Sequence, residues 1–174
     1  MTLELLKEGD PQLLEVSEPW DFEVDGDPTE LVTEMSKFMA ANGGVGLAAP
    51  QVGIKKRIFI MGNFTKLVAC INPMIVFLAE ERVLDLEGCL SFPDLWLKVK
   101  RAPACIVQYY NTDGIHVERE LAGMESRVFQ HEFHHLSGIT FDQIVPSVTL
   151  TMAKERRRKE SVRTSRNLRN KIKS

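Results

Sequence analysis

The stretch Gln130-His131-Glu132-Phe133-His134-His135 decides how this chain is read. Three of the protein's four histidines lie in it, beside a carboxylate. His131 and His135 are four apart, a spacing that on an α-helix sets two side chains one turn apart on one face. Two imidazoles so placed can bind one divalent metal, and Glu132 beside them can work as a general acid/base. This is the His-Glu-x-x-His pattern of metal-dependent hydrolases. A polar helix face with incidental histidines is the competing reading, and residues elsewhere must separate the two.

The remaining sequence narrows the class. With 174 residues the chain can build one domain with a substantial core. No apolar run approaches the length needed to span a bilayer. The first residues, Met1-Thr-Leu-Glu-Leu-Leu-Lys, lack the layout of a signal peptide, so a cytoplasmic location is expected. Three cysteines, Cys70, Cys89 and Cys105, are too few and too odd a number for a disulfide framework. The net charge of −2 hides an asymmetry. Residues 154–174 hold ten Lys/Arg and two Glu, whereas the rest holds twelve basic and twenty-two acidic residues. An acidic body with a basic end suggests that the end meets something anionic. The expected organisation is a catalytic domain over residues 1–153 and a basic extension over 154–174.

Residues 1–27 read as an irregular arm, punctuated by Gly9-Asp10-Pro11 and Glu18-Pro19. Leu13, Leu14, Val16, Trp20 and Phe22 are its candidate anchors to the core. Asp27-Pro28-Thr29-Glu30 is a helix start, with Asp27 as cap and Pro28 in the first turn. Leu31, Met35, Phe38 and Met39 keep helical spacing, and Asn42-Gly43-Gly44 ends the helix. Next comes Gly44-Val45-Gly46-Leu47-Ala48-Ala49-Pro50-Gln51. It lacks the Gly-Lys-Ser/Thr ending of a phosphate loop. Its glycines allow close approach of another backbone, so it is either a tight turn or an edge able to pair with a peptide. Residues 55–121 read as β-rich, with strands at 57–61, 67–71, 74–78, 104–110 and 115–121 and a turn at Asn111–Gly114. His116 reads as a plain strand histidine. Between strands lies Glu87-Gly88-Cys89-Leu90-Ser91, whose cysteine is either an inert buried thiol or a third metal ligand. A second helix is expected from near Gly123 to Gly138, then a short strand at 139–141. Val148, Leu150 and Met152 open either a strand or a last helix. Beyond Lys154 the only apolar residues are Val162, Leu168 and Ile172, so that segment reads as a solvated helix or a tail.

The third ligand separates families of such hydrolases. A third histidine six residues after His135 would fit one class, but Phe141 stands there. Only Glu155 and Glu160, in the polar end, could supply a downstream glutamate. Cys89 is the better candidate. Here the sequence closely resembles the peptide deformylases. That family carries Gly-x-Gly-x-Ala-Ala-x-Gln, Glu-Gly-Cys-x-Ser and Gln-His-Glu-x-Asp-His in this order. The chain has them at 44–51, 87–91 and 130–135, the last with one departure, and the resemblance covers roughly residues 5–150.

The resemblance implies an α+β fold: antiparallel sheets packed around a central His-Glu-x-x-His helix, with an N-terminal helix and a basic C-terminal helix or tail. It implies hydrolysis of the N-formyl group from the formyl-methionine that begins new polypeptides, releasing formate. Cys89, His131 and His135 would hold the metal, with one position left open. Glu132 would shuttle the proton, and the Gln51 amide and Leu90 N–H would stabilise the oxyanion. Gly44, Val45 and Gly46 would pair with the peptide, and Val45 and Val128 would line the methionine pocket. Fe(II) is the implied ion, and Zn(II), Ni(II) or Co(II) also suit a Cys/His/His set. A monomer without membrane attachment is expected, its basic end in contact with ribosomal RNA. Two departures stand out. His134 replaces the family's Asp, a partner for an arginine such as Arg101, and Trp96 stands where many members have a polar or basic residue. A metallopeptidase and a non-catalytic binding relative are the alternatives. The complete upstream motifs argue against the first, and the retained Glu132 argues against the second.

Overall fold

The computed structural model describes residues 2–63 and 66–172, and side chains as far as residue 165 with that of Asn63 excepted. The arm over residues 2–27 has one short 3-10 turn, Pro11–Leu14, capped by the Asp10 carboxylate, which accepts from Gln12 N–H at 3.0 Å. Leu13 is buried and Trp20 and Phe22 are half-buried. Leu14 and Val16, expected as anchors, face solvent instead, because the turn can bury only one side. Helix α1 (Thr29–Ala41) buries Leu31, Val32, Met35 and Met39. Asp27 accepts from Thr29 N–H at 2.9 Å and so caps its first turn. The helix stops at Asn42, and Gly43 takes a left-handed φ of 69°.

Seven strands follow: β1 (Gly46–Ala48), β2 (Ile58–Asn63), β3 (Lys66–Leu78), β4 (Val83–Cys89), β5 (Phe92–Arg101), β6 (Ala104–Tyr110) and β7 (His116–Ala122). They form an antiparallel five-stranded sheet of order β1-β2-β3-β6-β7 and a separate β4–β5 hairpin. The stretches 67–71 and 74–78, expected as two strands, are one strand. Asn72 (φ 50°) and Pro73 sit where the β3–β6 register shifts, a bulge that admits a proline without ending the strand. Strands β4 and β5 were not foreseen. Exposed Trp96, Lys98 and Lys100 of β5 alternate with Leu95, Leu97 and Val99, which pack inward with Leu13, Phe92, Phe141 and Ala153.

Helix α2 (Gly123–Leu136) is the centre of the molecule. Phe129 and Leu136 join Phe59, Val107 and Leu121 in the core beneath the large sheet. Leu47, Ile58 and Ile60 meet α1 in a second cluster. Gly138 (φ 68°) ends the α2 region, and a Cβ there would lie 2.4 Å from Leu14 O. Residues 139–141 are not a strand. Ile139 N–H is drawn to His134 O, folding the segment back on the helix end. Helix α3 (Ser147–Ile172) runs without a break across the 153/154 border expected from charge. Ala153 is buried, and Lys154 and Arg157 grip Glu8 at 2.7 and 2.8 Å. The side chains of Leu168 and Ile172 lie outside the described residues. No helix among the described residues is long and apolar enough to cross a membrane.

Candidate metal centre

Eight residues of α2 are buried, and six of them are polar or charged: Ser126, Arg127, Gln130, His131, Glu132 and His135. Buried polar groups need partners, so such a helix is costly unless the surroundings satisfy it. Ser126 and Gln130 bond to Ala102 at the β5–β6 corner. Of the other four, Arg127 and His131 bond to Glu87 of the β4–β5 hairpin, His135 meets Cys89 at its turn, and Glu132 lies against Gly46 of β1.

The hairpin turns at Leu90-Ser91, with Cys89 and Phe92 paired across it. Cys89 Sγ lies 3.3 Å from His135 Nε2. One ligand atom each from Cys89, His131 and His135 falls within 4.8 Å of the others. His131 Nδ1 is 3.0 Å from Glu87 Oε2, which commits that nitrogen and leaves Nε2 for a ligand role. Glu87 is clamped by the Arg101 fork (3.0 Å to each oxygen) and by Arg127 (2.7 Å). Burial alone would raise the Glu87 pKa, but the bonds from His131 and Arg101 outweigh it and hold it down at about 2. Burial likewise opposes a charge on His131, yet Cys89, Glu87 and Glu132 pull its pKa up to about 10. Surroundings that draw a proton to His131 also favour a cation. Burial and the charges on His131 and Arg101 keep His135 neutral, the form that ligates. Two imidazoles and a thiolate within this span fit a divalent ion with an open position.

Glu132 is buried beside this triad, and its Oε2 has no hydrogen-bond partner. Burial raises its pKa to about 7. It fits only because Gly46 has no side chain: a Cβ there would lie 2.3 Å from Glu132 Oε1. Gln51 is oriented on both sides. Its Oε1 accepts from Ala48 N–H at 2.8 Å, which turns its NH2 toward Cys89 Sγ (3.4 Å) and Ser91 Oγ (3.1 Å). Leu90 occupies the hairpin turn, and a Cβ on Gly44 would meet its side chain at 2.8 Å. Strand β1 is an edge strand, with Val45 exposed just before it. Val128 is half-buried at the margin of the α2 core, and His116 is exposed on β7.

Cys89, His131, His135, Gln51, Glu132 and Gly46 thus lie together, whereas Val45 is exposed ahead of β1 and Val128 packs at the core margin. Unforeseen were the roles of Glu87, Ser91, Gln130 and Arg127. Arg127 had a signal, since residues 127, 131 and 135 repeat at four and share a helix face. His134 accepts from Arg101 Nη1 at 3.0 Å through Nδ1, which requires a neutral ring. Burial and the Arg101 charge lower its pKa to about 4.

The profile of the polypeptide deformylase family matches residues 2–149. A peptide deformylase of Thermotoga maritima is 42% identical over 148 residues, covering 84% of this chain and 90% of that one. The crystal structure of a Thermotoga maritima peptide deformylase superposes with a TM-score of 0.79 at 39% identity, covering 84% of this chain and 99% of that chain. A Met-Ala-Ser-bound class I type b peptide deformylase from Acinetobacter baumannii gives a TM-score of 0.77 at 32% identity, covering 83% and 99%. Motifs, fold and relatives agree, and the chain belongs to the peptide deformylase family.

Proposed function

We propose that this chain hydrolyses the N-formyl group of N-terminal formyl-methionine, with Cys89, His131 and His135 holding a divalent metal and Glu132 moving the proton. One observation carries the reading: a buried carboxylate with a partnerless oxygen stands beside a Cys/His/His cluster whose first histidine, His131, is oriented by a clamped carboxylate. When bound, the ion supplies a Lewis acid that polarises the formyl carbonyl and lowers the pKa of water. Fe(II) is our assignment for it, and the same donor set accepts Zn(II), Ni(II) or Co(II).

Glu132, with its pKa near 7, takes a proton from the attacking water at Oε2 and delivers it to the leaving nitrogen. The Gln51 NH2, already turned toward Cys89 by Ala48, and the Leu90 N–H donate to the oxygen that gains charge. Loss of one such donor costs about 3–4 kcal/mol of barrier. The substrate backbone adds to the free edge of β1 at Gly44, Val45 and Gly46, and its methionine side chain rests against Val45 and Val128. The Met-Ala-Ser ligand of the Acinetobacter baumannii relative is what deformylation of a formylated tripeptide would leave.

The basic face of α3 is the surface we assign to ribosomal RNA in a cytoplasmic, monomeric enzyme. Lys154 and Arg157 are spent on Glu8, whereas Arg156, Arg158, Lys159 and Arg163 are exposed. Ribosome affinity that does not weaken with salt, or survives loss of these four charges, refutes that partner. The reaction itself is tested with anaerobically prepared, Fe(II)- or Ni(II)-loaded protein on a formyl-methionyl peptide. Formate release that disappears in Glu132→Gln is expected, and a folded, metal-replete protein releasing none overturns the proposal.

A further inference from the structure

The cluster that would hold the metal is assembled from two pieces that share no sheet. Cys89 and the orienting Glu87 belong to the β4–β5 hairpin. His131 and His135 belong to α2, whose backbone packs closely on β1, β2, β6 and β7 of the large sheet. The hairpin pairs with no strand of that sheet among the described residues. Long side chains must therefore fix the distance between cysteine and histidines.

One side chain reaches both strands of the hairpin from the helix. Arg127 Nη1 donates to Glu87 Oε1 at 2.7 Å and to Val99 O of β5 at 2.9 Å, and its Nη2 donates to Val83 O of β4 at 2.8 Å. The guanidinium is buried, as is the carboxylate it meets. Arg101 is no substitute, because it stands on the hairpin itself. Its links to α2 are Gln130 O at 3.5 Å and the ring of His134. Arg127 also lies one turn before His131 on the helix face that carries both histidines. A rigid fork on that face, bonded to both strands, sets the hairpin's height above the helix.

We propose that Arg127 is a positioning residue for the metal site: it fixes the Cys89 hairpin against the histidine helix and so sets the geometry and affinity with which the ion is held. The inference rests on the Cys89, His131 and His135 reading above. Among the described residues the hydrogen bonds of the Arg127 side chain go to Glu87, Val99 and Val83, none of them a proposed ligand or part of the edge strand assigned to the peptide.

The test compares wild-type protein with Arg127→Met, which keeps the apolar stem and removes every donor, and Arg127→Lys, whose single ammonium cannot span both strands. Each is loaded with Co(II). The thiolate-to-cobalt absorption reports the Cys89 bond, and competition with a chelator reports affinity. Arg127→Met is expected to bind Co(II) about 10–100-fold more weakly, as losses around ligands typically do, with a diminished thiolate band. Arg127→Lys is expected to fall between the two. On the formyl peptide, kcat should drop while KM stays near wild type. Variants that keep wild-type affinity and band overturn the proposal, even if their unfolding midpoint falls, because Arg127 would then serve the fold alone. Should Arg127→Met not fold, wild-type affinity and band in Arg127→Lys overturn it equally. A wild-type protein without a thiolate band would instead overturn the assignment of Cys89 as ligand, and this inference with it.

Discussion

Replacing Gly46 with alanine acts most directly on the placement of Glu132, and KM reports separately on the peptide edge to which Gly46 also belongs. Gly46 has no left-handed φ, so alanine can adopt its backbone. The obstacle is Glu132: the new Cβ would lie 2.3 Å from Oε1, 2.8 Å from Cδ and 3.0 Å from Cγ. Ordinary contact begins near 3.4 Å, so the carboxylate must move by about 1 Å. It is the end of a flexible side chain, so the fold survives by letting it swing. An off-rotamer χ angle costs about 0.5–1.5 kcal/mol, a shift of roughly 2–5 °C in unfolding midpoint for a chain of this size. Catalysis has no such tolerance, and a displacement of about 1 Å can cost about 10²-fold in rate. The expected result for Gly46→Ala is a kcat about 10²-fold below wild type with bound metal undiminished, since Glu132 is not a proposed ligand. Formate release, measured on protein of known metal content with Glu132→Gln alongside, reads both quantities. A Gly46→Ala protein with kcat within about twofold of wild type would refute the assignment of Glu132 as base, or its fixed position.

Three further outcomes follow from charge and burial. Burial raises the Glu132 pKa to about 7, so the folded state binds this proton more tightly than the unfolded chain does. Its contribution to stability must fall as pH rises from about 4.5 to about 7, and urea melts of metal-stripped Glu132→Gln should gain on wild type by up to roughly 3 kcal/mol over that window. A constant difference across it would contradict the burial argument. Glu8 opposes burial with bonds from Lys154 and Arg157 that lower its pKa, so its contribution is present above about pH 4.5 and lost on acidification below it. Glu8→Gln should speed proteolysis of α3 at neutral pH while leaving the body intact, and equal cleavage rates would count against docking through Glu8. His134→Asp should strengthen metal retention against a chelator by up to about tenfold, because an anion on Arg101 leaves the site behind His131 less positive; unchanged or weaker retention would show that the neutral ring already suffices.

Helical periodicity made α1 and α2 legible, because their apolar stripes and glycine stops are local signals. Strands β6 and β7 were legible for the same reason: alternation and the Asn111–Gly114 turn lie within one short segment. The β4–β5 hairpin was not. Within it Arg101 faces inward to Glu87 while its neighbour Lys100 faces water. Only the pairing partner tells a buried arginine from an exposed one, and that partner is 14 residues away. Helix α3 crosses the charge border at 153/154 because composition describes solvent exposure, whereas helix continuity depends on backbone bonds that lysine and arginine support as well as leucine does.

Cys89, His131 and His135 were legible as candidate ligands because metal chemistry restricts side-chain type and spacing, but the groups packed around them were not. Glu87 shows why. Its Oε1 accepts from Arg101 and Arg127, and its Oε2 from Arg101 and His131, which fills four acceptor directions. Each partner comes from a different position in the chain, and each alone is an ordinary charged residue. Two guanidinium groups and one carboxylate leave positive charge behind His131, while Cys89 and Glu132 stand in front of it. A carboxylate at position 134 would cancel that excess. The neutral His134 ring keeps the hydrogen bond to Arg101 and leaves the excess in place. His134 thus holds a hydrogen bond to Arg101 without offsetting its charge, and the residue type alone reveals neither half of that arrangement.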